Sequence, residues 1–193
     1  MLWLVVGLGN PGPTYAGHRH NVGFLVVDEL ARRTGARFAP VKAIRAEVAE
    51  ARLGPPGGDQ TRLVLAKSRT YMNETGGPVS GLLKYYKVEP DAMVVVHDEL
   101  DIDPGQLRVK LGGGDNGHNG LKSIRRSTGT GDYFRVRLGV GRPPGRQDPA
   151  DFLLSNFPAA AREDVAVEVQ RAADAVESLV VHGLERTQSA FNS

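Results

Sequence analysis

The chain has 193 residues, of which 40% are hydrophobic and 24% charged, a composition that fits one folded domain (1–193) and excludes a mostly disordered chain. It has no cysteine, which excludes a disulfide framework and thiolate chemistry and fits a reducing compartment. The net charge is only +2, yet residues 105–146 carry nine basic side chains (Arg108, Lys110, Lys122, Arg125, Arg126, Arg135, Arg137, Arg142, Arg146) against two acidic ones (Asp115, Asp132), and residues 147–193 carry three against eight.

In chain order, Leu2 to Val6 is an apolar run that ends in Gly7, the pattern of a buried strand feeding a glycine-rich turn. It is too short for a signal peptide and has no basic leader. From Asn21, apolar residues at helical spacing (Val22, Leu25, Val26, Leu30) lead to a stop at Gly35. Ile44 to Leu53 and Thr61 to Ala66 read as two strands of an antiparallel hairpin around Gly54-Pro55-Pro56-Gly57-Gly58-Asp59. Pro78 to Val88 reads as a helix and Met93 to Val96 as a central strand.

Gln106 to Leu111 and Tyr133 to Val140 alternate apolar with basic residues, which predicts strands with one wet, basic face. Between them Asn119 to Ser127 reads as a helix that Asn119 could cap. Residues 141–149 read as a Pro/Gly-rich loop, and Pro158 to His182 as one long amphipathic helix with Gly183 past its end. The expected fold is therefore α/β, a single domain with a mixed β-sheet surrounded by helices in three layers, an inserted antiparallel hairpin and a long C-terminal helix. No stretch approaches the ~20 apolar residues that a bilayer-spanning helix needs, so a cytoplasmic protein without a membrane partner is expected.

Three constellations could carry chemistry. Gly7-Leu8-Gly9-Asn10-Pro11-Gly12 follows a strand and matches the dinucleotide fingerprint, which makes a nucleotide-dependent oxidoreductase a rival reading. Pro11 and Pro13, however, remove N–H donors and disfavour helix where that turn requires it. His18-Arg19-His20-Asn21 stands at the start of the first helix, and Val94-Val95-Val96-His97-Asp98-Glu99-Leu100-Asp101 places carboxylates just past a buried strand, where sites on α/β sheets lie. An Asp that holds one imidazole nitrogen leaves the other free to take a proton. Glu99, Asp101 and Asp103 read as a solvated turn. The third constellation is a set of asparagines in glycine-rich loops (Asn10, Asn73, Asn116, Asn119), suited to peptide-like groups because an amide pairs donor to acceptor in both directions. No G-x-S-x-G elbow is present, so a histidine-activated water is the simpler mechanism. A purely RNA-binding module would need aromatic motifs or a basic tail, which the chain lacks.

Five motifs in order, Val-Gly-Leu-Gly-Asn-Pro-Gly-x-x-Tyr ending at Tyr15, Arg19-His20-Asn21-x-Gly23, Tyr71-Met72-Asn73-x-Thr75-Gly76, His97-Asp98-Glu99-Leu100-Asp101 and Gly112-Gly113-Gly114-x-x-Gly117-His118-Asn119-Gly120, resemble the bacterial-type peptidyl-tRNA hydrolase family. The resemblance implies cleavage of the ester between a peptide and the terminal ribose of tRNA, in translation and ribosome rescue, by a cytoplasmic monomer with no metal, no cofactor and no obligate protein partner. It implies His20 as general base, Asp98 as the group that holds and polarises it, and Asn10 as the reader of a blocked amine. Tyr15, Tyr71, Asn73 and Asn119, with Met72 and His118 nearby, would line the channel for the peptide and the tRNA 3′ end. Lys110 and Arg137 would meet phosphates. The chain departs from the family pattern at His18, where threonine is usual, and at Asp115-Asn116.

Overall fold

A computed structural model describes residues 1–192. Seven strands form one sheet in the order β2-β3-β4-β1-β5-β7-β6. They are β1 (Leu2–Gly7), β2 (Ala39–Val41), β3 (Ala46–Leu53), β4 (Thr61–Ser68), β5 (Met93–Glu99), β6 (Leu107–Leu111) and β7 (Phe134–Gly139). The helices are α1 (Val22–Thr34), α2 (Gly76–Tyr86), α3 (Asn119–Thr128), α4 (Pro149–Leu153), α5 (Arg162–His182) and α6 (Leu184–Phe191). β1 pairs in parallel with β4 and β5, and β5 with β7, while β2–β3, β3–β4 and β6–β7 are antiparallel. The sheet is therefore mixed, and the expected hairpin is β3–β4.

β5 is buried along all seven residues and β1 from Trp3 onward, because helices cover both faces of the central strands and leave no face for polar alternation. α1 packs on α5, and α2 on α3. A Cβ on Gly23 would lie 2.3 Å from Val96 O and 2.6 Å from Leu8 N. The first turn of α1 thus lies directly against the ends of β1 and β5, and the residues just before it reach the end of the sheet.

Several expected boundaries move. β5 continues through His97, Asp98 and Glu99, so these residues lie in the strand rather than past it. Pairing with β7, whose Arg137, Leu138 and Gly139 stand opposite them, extends the strand where the valine run had ended. His118, not Asn119, caps α3, accepting the Gly120 N–H on its Nδ1. The long C-terminal helix begins at Arg162, after a 3-10 turn at Ala159–Ala161, and Gly183 separates it from a further helix, α6. The 141–149 loop leads straight into α4, where the Asp148 carboxylate caps the Ala150 N–H. No helix among the described residues is long and apolar enough to cross a membrane.

Candidate active site

His20 occupies a 3-10 turn (Arg19–Asn21) that runs into α1, and Asp98 lies near the end of β5. The close approach at Gly23 brings them together: His20 Nδ1 donates to Asp98 Oδ2 at 2.7 Å, and both side chains are buried. His118 closes the other side. Its Nδ1 accepts from Gly120, so its Nε2 carries the proton and donates to Asp98 Oδ1 at 2.9 Å. One carboxylate therefore spans two imidazoles whose ring centroids are 4.8 Å apart.

Burial disfavours the charge on Asp98, but the two imidazoles outweigh it and hold its carboxyl well below the usual carboxylate range. Burial likewise works against a charged His20, and Asp98 overcomes it, raising the imidazole above its ordinary value. His97, fully enclosed, is pushed down to about 3 by burial and by its neighbour His118. It remains a neutral ring, donating Nδ1–H to the Asp98 carbonyl at 2.7 Å.

In front of this relay is a cavity of about 390 Å³. Asn10, Tyr15, His20, Tyr71, Met72, Asn73, His118 and Asn119 line it, joined by Leu100, Gly117 and, from the α4 segment, Pro149, Ala150, Leu153 and Leu154. Eight of the eleven residues singled out from sequence thus meet around one cleft, with Asp98 behind the two histidines. Lys110 and Arg137 do not line it; they stand on β6 and β7, on one face with Arg108 and Arg135 by the strand register. Three larger grooves lie elsewhere, about 760 Å³ against α1 and α5, about 590 Å³ beside Phe152 and about 470 Å³ at the end of α2, and none contains the relay.

The asparagines have defined orientations. Asn21 Oδ1 accepts the Asn10 N–H at 2.9 Å, and Asn21 Nδ2 donates to the Asn10 carbonyl at 2.8 Å. Asn10 Oδ1 accepts the Met72 N–H at 2.7 Å, which leaves the Asn10 Nδ2 donor for the cleft. Tyr15 stacks edge-on against both His18 and Tyr71. Asn73 and Asn119 are exposed.

Two readings of charged residues need correction. Arg135 is not on a wet face: it is fully buried, and its guanidinium donates to the carbonyls of Gly113, Gly114 and Gly131 at 2.6–3.0 Å. It staples the glycine-rich loop that leads to His118. Glu99 is buried rather than solvated, accepting from Asn116 Nδ2 at 2.8 Å; Asp101 and Asp103 are exposed, as expected. Sequence reasoning also passed over the roles of Asn21, Arg135 and the apolar side of α4, since none has a local signal beyond its residue type.

His20, Asp98 and His118 form the group among the described residues whose potential ligand atoms, within 4.8 Å of one another, could hold a metal ion. Both carboxylate oxygens already accept imidazole N–H bonds, so these atoms satisfy each other as a hydrogen-bonded relay, and a shared ion would have to displace both protons.

A family model described as peptidyl-tRNA hydrolase matches residues 4–193. A peptidyl-tRNA hydrolase of Streptomyces coelicolor is 60% identical over 99% of this chain and 95% of its own length, and one of Cutibacterium acnes is 56% identical over 99% and 98%. Among solved structures, a crystal structure of peptidyl-tRNA hydrolase from Acinetobacter baumannii superimposes with a TM-score of 0.83 at 34% identity, covering 99% of this chain and 93% of that one. The chain therefore belongs to the peptidyl-tRNA hydrolase family and is a hydrolase.

Proposed function

We propose that this chain hydrolyses the ester joining a peptide, or an N-blocked amino acid, to the 3′-terminal ribose of tRNA, with His20 as general base. The observation that carries the mechanism is the 2.7 Å bond between His20 Nδ1 and Asp98, which fixes the tautomer and leaves Nε2 available at the cleft. Nε2 takes a proton from a water, and the resulting hydroxide attacks the ester carbonyl. The tetrahedral intermediate collapses with the proton passing from the imidazolium to the departing ribose oxygen. Asp98 stabilises the imidazolium without itself taking the proton, which agrees with its depressed pKa. The Asn73 amide is the first candidate to stabilise the oxyanion, and a backbone N–H of the 112–120 loop is the second.

Asn10 Nδ2 is a donor suited to a peptide carbonyl, and an amide contact of this kind ignores side-chain identity. Tyr15, Tyr71, Met72, Asn119 and His118 complete the channel for the peptide and the tRNA 3′ end. Lys110 and Arg137, outside the cleft, would meet phosphates, giving affinity and register with little sequence preference. No metal or cofactor is assigned a role. A cytoplasmic monomer without an obligate protein partner completes the reading.

The test is release of N-acetyl-amino acid from N-acetyl-aminoacyl-tRNA, with chelator present, by the unsubstituted protein and by His20→Ala, with free-amine aminoacyl-tRNA as control. Rapid release by the unsubstituted protein alone, and from the blocked substrate alone, supports the reaction, the base and metal independence together. Equal rates in the two proteins would remove His20 from the mechanism.

A further inference from the structure

Arg19 precedes the base in sequence but points away from the relay. Its Nη1 donates to Ser155 Oγ at 2.6 Å and to the Asn156 carbonyl at 3.0 Å. Ser155 Oγ–H in turn donates to the Phe152 carbonyl at 2.5 Å, at the C-terminal end of α4. The guanidinium carbon stands 4.0 Å from the Phe152 ring centroid and 5.6 Å from that of Phe157. The backbones join as well: Arg19 N–H donates to the Ser155 carbonyl at 3.0 Å, Phe157 N–H to the Gly17 carbonyl at 3.3 Å, and His18 bridges Asn156.

α4 has five residues, of which Phe152 alone is buried. So short a helix has no independent stability and must be held by what it touches. Asp148 caps its first turn locally; at the other end, the long-range side-chain contacts come from Arg19. The side chains that α4 and Leu154 turn toward the cleft (Pro149, Ala150, Leu153, Leu154) form an apolar wall beside His20. Charge-assisted bonds are roughly twice as strong as neutral ones, and a guanidinium on a ring face adds to them, so the Arg19 side chain reinforces the backbone pairing at 155–157 and ties the end of α4 itself to the turn that carries His20.

We infer that Arg19 is a positioning residue that seats α4 as the apolar wall of the cleft, so that loss of its grip weakens substrate binding and leaves the proton transfer intact. This rests on the reading of the cleft as the hydrolytic site. A wall that meets the ground state and the transition state alike changes KM and not kcat. If the seated population falls to roughly a tenth, KM rises about tenfold.

The experiment measures kcat, KM and the acid limb of the pH–rate profile for Arg19→Ala and Arg19→Lys, together with hydrogen exchange along the backbone. The expected result for Arg19→Ala is a KM raised about tenfold with kcat within about twofold, an unmoved acid limb, and faster exchange confined to residues 150–157. Arg19→Lys, which keeps a cation over Phe152 and a donor for Ser155, recovers part of both effects. Ser155→Ala, which removes the relay to Phe152 without touching the charge, shifts KM in the same direction by less. An unchanged KM with unchanged exchange overturns the inference, as does a fall in kcat at constant KM. Exchange that accelerates throughout the sheet overturns it too, since Arg19 would then be a general stabiliser. If the unsubstituted protein fails to hydrolyse the blocked substrate, the functional reading falls, and the exchange pattern alone still upholds or overturns the seating of α4.

Discussion

Asn21 grips the backbone of Asn10 through both atoms of its amide, accepting from the Asn10 N–H and donating to the Asn10 carbonyl. The side chain that results, with Oδ1 committed to Met72 N–H, presents its remaining donor to the cleft. The orientation of Asn10 is thus set by a residue next to His20 rather than by its own turn. Asn21→Ala leaves a buried N–H and carbonyl unpaired, which costs about 1–3 kcal/mol for each buried group left unsatisfied. Thermal denaturation should register that loss, and KM for N-blocked substrates should rise as the Asn10 side chain loses its fixed orientation. An unaltered KM in a destabilised Asn21→Ala protein would mean that Asn10 does not read the substrate.

The pH profile of hydrolysis should carry the mark of Asp98. The proposed general-base role of His20 requires the neutral imidazole, and Asp98 raises the pKa of that imidazole above the ordinary 6.5, so activity should be lost as pH falls through a value above 6.5. In Asp98→Asn the attraction that raised it is gone while burial still lowers it. The acid limb should therefore move to lower pH while the plateau drops, since the tautomer and the imidazolium lose their support. A limb that stays in place would show that another group titrates.

Arg135 tests how far the site depends on a buried charge. Among the described residues it forms no ion pair with a carboxylate; its two terminal nitrogens donate to the carbonyls of Gly113, Gly114 and Gly131, and its buried Nε is left unpaired. Arg135→Met removes the charge and takes the donor from the Gly114 carbonyl, while Gly113 keeps Arg125 and Gly131 keeps the Tyr133 N–H, with an expected cost of about 1–3 kcal/mol. Because the loop it staples leads to His118 and Asn119, kcat should fall in step. Arg135→Lys should recover little, since an ammonium cannot reproduce the planar fork. Denaturant midpoints for both variants decide the point.

The basic face makes a different prediction. Lys110 and Arg137 line no part of the cleft, and each is held below its ordinary pKa chiefly by burial, with neighbouring arginines adding to the effect. Lys110→Ala and Arg137→Ala should each raise KM, leave kcat nearly unchanged, and lower the slope of log affinity against log salt by about one. Titrating tRNA binding across a salt series checks this; an unchanged slope would place the phosphates elsewhere.

Much of this protein was legible in its sequence, and for a local reason. Strand and helix periodicity, the hairpin's turn residues and the stop at Gly35 are properties of neighbouring residues, and the elements appear close to where those patterns put them. His20 and Asp98 stood out because each lies next to a secondary-structure end that its own neighbours define. What the sequence left open needed contacts between distant segments. Arg135 has the alternation of a wet face, yet it is buried, because the folded-back glycine loop offers it the carbonyls of Gly113 and Gly114 and the segment before β7 that of Gly131. Glu99 looked like part of a solvated turn until pairing with β7 extended the strand around it. His118 became the second partner of Asp98, and Arg19 the grip on α4, through pairings across 20 and more than 130 residues. Periodicity encodes which face of an element is apolar, but the partner of a buried polar group is chosen by the packing that removes water from it, and only the tertiary structure supplies that packing.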